Sequence, residues 1–92
     1  MNLTIEDLKE YAKMSATERH GERGRAIRAE LDERMRWMPA KWRRLIRCRF
    51  ILGYSPVKTA MEIHISHTTV YDWTRQIDKW LRDKDAYLNE MT

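Results

Sequence analysis

Residues 53–81 read GYSPVKTAMEIHISHTTVYDWTRQIDKWL, and how this stretch is parsed decides the fold. Gly53 is a natural stop for whatever precedes it. Ser55 offers an N-cap oxygen, and Pro56 sits at the first helical position, where its missing N–H costs nothing. A short helix over residues 56–63 follows, with Val57, Ala60, Met61 and Ile63 apolar at helical spacing. Ser66 is a second N-cap, and it opens a longer helix carrying Val70, Trp73, Ile77, Trp80 and Leu81 on one face. Only His64 and Ile65 stand between the two. Closely crossing helices need a small residue where they meet, which Ala60 supplies, while Ile65 and Val70 fill the angle. The competing parse is a strand, because Ile63, His64, Ile65, Ser66 and His67 alternate apolar and polar. That run lasts only five residues, and nothing else in the chain can pair with it. The helical parse is the layout of a DNA-binding helix-turn-helix, whose second helix enters the major groove.

The stretch also carries a resemblance. Arg49-Phe50-Ile51-Leu52-Gly53-Tyr54-Ser55, then Ala60, then Ile65-Ser66-His67-Thr68-Thr69-Val70-Tyr71 resembles the region 4 helix-turn-helix of bacterial sigma factors. It is especially similar to small phage-encoded transcription activators built on that module. The resemblance covers residues 39–81 and departs from the family at two places. His64 stands where the family often has Gly, so a left-handed backbone is expected on a residue less suited to it. Lys58 and Thr59 replace an acidic residue common early in the first helix. A regulator of phage origin, working in the cytoplasm of a bacterial host, is what the resemblance implies.

Totals and charge distribution agree with a nucleic-acid partner. At 92 residues the chain can bury roughly 60–65% of its unfolded surface, and four Trp supply bulky core material. The net charge is +4, but its distribution says more. Residues 34–61 contain Arg34, Arg36, Lys41, Arg43, Arg44, Arg47, Arg49 and Lys58, and before Glu62 no acid interrupts them. Such a block beside a helix-turn-helix is an electrostatic footprint for a polyanion. Cys48 is the only cysteine, which precludes an intrachain disulfide and fits a reducing cytoplasm. No apolar run approaches a membrane span, and no membrane partner is expected.

Outside this unit the expected fold is all-α, four to five helices, with residues 1–38 as a helical arm and 39–92 as the DNA-binding domain with a C-terminal helical extension. Thr4 and Asp7 form a shortened capping box, with Leu3 stapling onto Leu8. Ser15 to Thr17 reads as a break and a new cap. A second helix over 17–37 keeps period through Ala26, Ile27, Leu31, Arg34 or Met35, and Met38, although Gly21 and Gly24 weaken it and residues 17–25 are expected to fray. Its Arg19, Arg23, Arg25 and Arg28, mixed with Glu18 and Glu22, read as a solvated face, with phosphate binding as the alternative. Pro39 starts a third helix, 40–52, with Trp42, Leu45, Ile46, Phe50 and Leu52 inward, Cys48 as a half-buried filler and Arg49 paired internally with Glu62. The core is expected around Trp42, Phe50, Ala60, Ile65, Val70, Trp73 and Ile77. Val70, Ile77, Lys84 and Met91, with Trp73, Trp80 and Tyr87, form a heptad-like seam. Its end, with Leu88, serves either a homodimer through the C-terminal helix or a tail folded back on its own domain.

Candidate contacts follow from the facing. Ser66, His67, Thr68, Tyr71, Asp72 and Arg75 project from the reading helix toward bases: Arg75 toward guanine, Asp72 toward cytosine, Thr68 toward the thymine methyl. Asp72 can equally orient Arg75 from three residues away. Arg43, Arg44, Arg47 and Lys58 are expected to hold phosphates, which sets position and affinity but not sequence. No catalytic, cofactor or metal site is expected. The glycines are scattered, Ser55 and Ser66 serve as caps, Asp83 and Asp85 diverge, and His20, His64 and His67 make no ligand cluster. Two other functions remain open beside duplex DNA recognition. One is the DNA-recognition subunit of a phage packaging terminase; the other is an adapter gripping RNA polymerase or a sigma factor.

Overall fold

Caps set the first elements. In the computed structural model, which describes residues 2–91 and side chains as far as Lys84, α1 (Ile5–Lys13) opens at Thr4. The Thr4 hydroxyl accepts from the Asp7 N–H at 3.2 Å, and the Asp7 carboxylate accepts from the Thr4 N–H at 3.0 Å. Leu3 and Leu8, the expected staple, are both fully buried. Ser15 and Glu18 repeat the reciprocal cap at α2 (Ala16–His20). The Glu18 carboxyl is held below the usual range by the bond from the Ser15 backbone, and secondarily by that from the Ser15 hydroxyl.

The single helix expected over 17–37 is two. Gly21 is extended, with φ −76° and ψ 176°, and closes α2 while opening α3 (Glu22–Met35). The second glycine explains the sharp fold-back. A Cβ on Gly24 would lie 2.5 Å from the Arg19 Cα and 2.6 Å from the carbonyl oxygens of Arg19 and Glu18. Gly24 is thus the contact itself rather than a weak point in a helix. Residues 17–25, expected to fray, are instead held at both ends. Arg23 bridges to Asp7 at 2.8 Å and to Glu10 at 3.0 Å.

Arg19 does more than face solvent. Its Nη1 donates to the Ile51 carbonyl at 2.6 Å, its Nε to the Tyr11 carbonyl at 3.3 Å, and its Nη2 to that of Ala12 at 3.5 Å. The guanidinium also lies 4.4 Å over the Tyr11 ring. One cation therefore joins the carbonyl end of α1 to the carbonyl end of a second helix far along the chain, where orphan acceptors collect.

That second helix is α4 (Ala40–Ile46), which passes directly into a π-helical turn, Arg47–Ile51. The Leu52 N–H donates to the Arg47 carbonyl, five residues back, at 2.8 Å, and Tyr54 N–H to that of Cys48 at 2.9 Å. A wider turn advances each residue by less than an α-helix does. Leu52, placed inward by α-helical counting, consequently ends 58% exposed, while Phe50 stays buried. Gly53 stops the segment with φ 73°.

The chain ends in α5 (Pro56–Glu62) and α6 (His67–Met91). Of the alternating residues, 63–66 form the turn between them and His67 opens α6, and no strand occurs among the described residues. Leu3, Leu8, Ile27 and Leu31 from the first part of the chain share one buried cluster with Leu45, Phe50, Val70 and Ile77 from the second. Of the expected core, Phe50, Ala60, Val70 and Ile77 are buried, whereas Trp42, Ile65 and Trp73 are half-buried at its margin. The fold is all-α.

Gly24 gives a sign test. Alanine at an ordinary helical glycine gains up to about 1 kcal/mol. Here overpacking against backbone, typically ~1–3 kcal/mol, opposes that gain. Gly24→Ala is expected to lower the urea midpoint, and a raised midpoint would show that α2 can move away freely.

Candidate nucleic-acid interface

The α5–α6 pair is built by three local devices. Ser55 Oγ accepts from the Lys58 N–H at 3.1 Å, with Pro56 leading the helix. At its other end His64 has φ 57°, the left-handed conformation expected at that position. This lets the Ile65 N–H reach back to the Ala60 carbonyl at 3.0 Å, the six-to-one bond of a Schellman closure. Ser66 then caps α6, its Oγ accepting from the Thr69 N–H at 3.1 Å and lying 2.7 Å from the Thr69 hydroxyl. Val57 and Met61, apolar at helical spacing, stay 53% and 72% exposed, so α5 packs through Thr59 and Ala60 instead.

The first turns of α6 present the expected set outward. Ser66, His67, Thr68, Tyr71 and Arg75 are exposed and Asp72 is half-buried. The His67 and Tyr71 rings meet edge to face at 5.0 Å. Asp72 and Arg75 form an ion pair, the orienting arrangement that competed with direct base contact. Their side chains are 47% and 73% exposed, so solvent screens the pair and it is easily exchanged for another partner.

Cations flank this face on both sides. With about 3.6 residues per turn, Trp73 and Thr74 fall on opposite edges of the buried stripe of α6. On the Trp73 edge, Lys41 Nζ sits 5.1 Å over the indole, and Arg44 lines the same depression with Ile63 and Ile65. On the Thr74 edge α1 packs against α6, and its Lys9, in an exposed and screened ion pair with Glu6 at 3.4 Å, shares a depression with Tyr71 and Thr74.

The expected phosphate set divides in space. Arg44 lies beside α6, and Lys58, 4.0 Å over the Tyr54 ring, is on the first turn of α5. Arg43 and Arg47 instead line a concavity with Arg28, Asp32 and Arg36 of the α3 side, and Arg43 donates to the Met38 carbonyl. Arg34 is 6% exposed and bound to Glu30 at 2.6 Å, so it is not part of any external footprint. Arg49 is internal as expected, but its partner is the Tyr54 carbonyl at 3.1 Å rather than Glu62. Lys41 and Lys9 join the face without having been expected there. The spacing of Lys41 to Arg44 on one helix was a usable signal; Lys9 is identified only by the docking of α1 onto α6.

Other chemistry is quiet. Burial, and secondarily Glu62, pushes the Cys48 thiol up, away from the reactive thiolate. No group of metal-ligating side chains occurs among the described residues, and no helix there is long and apolar enough to cross a membrane. In the heptad-like seam Val70 and Ile77 are core residues, Trp80 meets Trp42 edge-on at 6.3 Å, and Lys84 lies 5.3 Å over Trp37. Tyr87, Leu88 and Met91 lie outside the residues whose side chains are described. Comparison with protein-family models, curated proteins and solved structures found no match to any of them.

His64 is the strained joint of the unit. A left-handed conformation costs an ordinary residue roughly 1–2 kcal/mol, which glycine avoids. His64→Gly should raise thermal stability by up to about 1 kcal/mol, part of the gain being offset by glycine's greater freedom in the unfolded chain. An unchanged or lower melting point would mean that the imidazole makes a compensating contact.

Proposed function

We propose that the protein binds duplex DNA sequence-specifically, with α5 and α6 acting as a helix-turn-helix and α6 lying in the major groove. The observation that carries this reading is the arrangement around α6. An exposed polar face, Ser66 to Arg75, lies between cations on its two edges, Lys41 and Arg44 on one and Lys9 on the other. A major groove about 12 Å wide has phosphates on both walls and base edges on its floor, so the three sets correspond. Lys58 would reach a neighbouring phosphate from α5. Together with the sigma region 4 resemblance, this supports a cytoplasmic transcriptional regulator of phage type.

Base reading is assigned to Thr68, Asp72 and Arg75, with Ser66, His67 and Tyr71 around them. Replacing Thr68, Asp72 and Arg75 together by Ala should leave folding within about half a kcal/mol, as for other surface changes. Each base interaction removed should cost ~1–3 kcal/mol of discrimination while binding to random duplex persists. The measurement is affinity for a site selected from a random pool against affinity for random duplex. Retention of the parental ratio would exclude α6 as the reader.

Position in the fold also sorts the cations. Lys9→Ala, and separately Lys41→Ala with Arg44→Ala, should flatten the dependence of log K on log salt by about one for every phosphate no longer neutralised. Arg43→Ala with Arg47→Ala should leave that slope near parental. The reverse pattern would place the DNA on the α3 side of the molecule.

A further inference from the structure

A broad hollow lies away from α5 and α6. Two neighbouring concavities, of about 800 and 480 Å³, share Arg28 and Asp32 in their linings and follow one another as a groove along α3 with that ion pair between them. Arg25, Arg28, Asp32 and Arg36 recur along one side of α3, away from buried Ile27 and Leu31. Leu52 faces them at one end, and Arg43 and Arg47 at the other. None of the lining residues belongs to α5 or α6.

Three properties define what fits. The first is charge. Asp32 is the only carboxylate in the lining, and Arg28 already holds it at 2.9 Å. Arg25 and Arg47 are exposed, and among the described residues neither makes a side-chain hydrogen bond or ion pair. The second is an aliphatic lining of Ala12, Met14, Ala29 and Leu52, with Leu52 58% exposed. The third is length. Residues 25 to 36 of a helix span roughly 16 Å, which about five residues of extended chain can follow.

We propose that this groove binds an acidic peptide segment of a partner protein, in which carboxylates alternate with aliphatic side chains. The carboxylates meet Arg25 and Arg47, and the aliphatic groups meet Leu52, Met14 and Ala29. A nucleic-acid strand fits less well. Its backbone has nothing to place on an aliphatic surface. Of the two rings in the lining, Tyr11 is 5% exposed beneath Arg19 and only His20 is exposed, so successive bases have no row of rings to stack on. The site is independent of the DNA reading, and the two can fail separately.

The test uses the full chain and a fluorescein-labelled ten-residue peptide of alternating Glu and Leu, followed by fluorescence anisotropy. Two control peptides are all-Glu and alternating Lys and Leu. The alternating acidic peptide is expected to bind at least about tenfold tighter than either control. Arg25→Ala with Arg47→Ala, and separately Leu52→Ser, should each weaken it by a factor of about ten or more. All these side chains are exposed, and a parental thermal melt verifies that the fold survives. Absence of binding, equal binding of all-Glu peptide, or insensitivity to both variants overturns the proposal. Displacement of the peptide by a short random duplex also overturns it, because the groove would then be a nucleic-acid surface.

Discussion

The hydrogen bonds of one guanidinium hold the two parts of this molecule in relation. Arg19 stands where the carbonyl end of α1 and the carbonyl end of the π turn converge, and it donates to acceptors on both. Helix ends that approach one another with like partial charge repel unless a cation lies between them. Charge-assisted bonds of this kind contribute more than neutral ones, about 1.5–3 kcal/mol each when well made. The position of α1 against α6 depends on this junction, and so does the place of Lys9 beside Tyr71. Gly24 belongs to the same device, because only a residue without Cβ lets α2 lie close enough to α3 for Arg19 to reach. An interaction near the start of the chain thus shapes a surface near its end.

Short-range signals are legible in this sequence, and long-range ones mostly are not. The caps at Thr4, Ser15, Ser55 and Ser66 are all present as side-chain hydrogen bonds, and the left-handed turn residue is His64. Each rests on two to four neighbouring residues, which a single sequence displays in full. The helix break at Gly21 was less legible because residues 17–25 carry no apolar side chain whose period could mark an end there. Arg19, expected to be solvated, spans to Ile51, a partner that no spacing rule reveals. The misplacement of Leu52 has another origin: counting in steps of an α-helix fails once the backbone widens. The outward set on α6 was legible from the positions of Val70, Trp73 and Ile77 alone. Of the cations that flank it, Arg44 was legible from the basic block, whereas Lys9 was not, since it comes from another element.

A block of basic residues in sequence does not remain a block in space. Arg34 and Arg49 are committed to internal partners, Arg36 pairs with Glu33 at 3.2 Å, and Arg43 holds a carbonyl of the preceding loop. What remains external separates into two surfaces, one beside α6 and one along α3. Net charge therefore overstates the cation density available to any single partner. The relevant quantity is how many positive groups share a face without a carboxylate or carbonyl already in attendance.

The π turn has a consequence for how this chain can change. It carries one residue more than an α-helix closing the same distance would need, immediately before Gly53. Were the same residues wound as ordinary α-helix, the extra one would be pushed downstream and the chain beyond it would swing by about 100° relative to α4. The polar face of α6 would then no longer lie between Lys41 and Lys9. The widened turn thus sets the phase between α4 and the α5–α6 pair. A single deletion in this segment can be absorbed by rewinding the turn to α-helix, whereas an insertion has no such outlet and must shift the chain that follows.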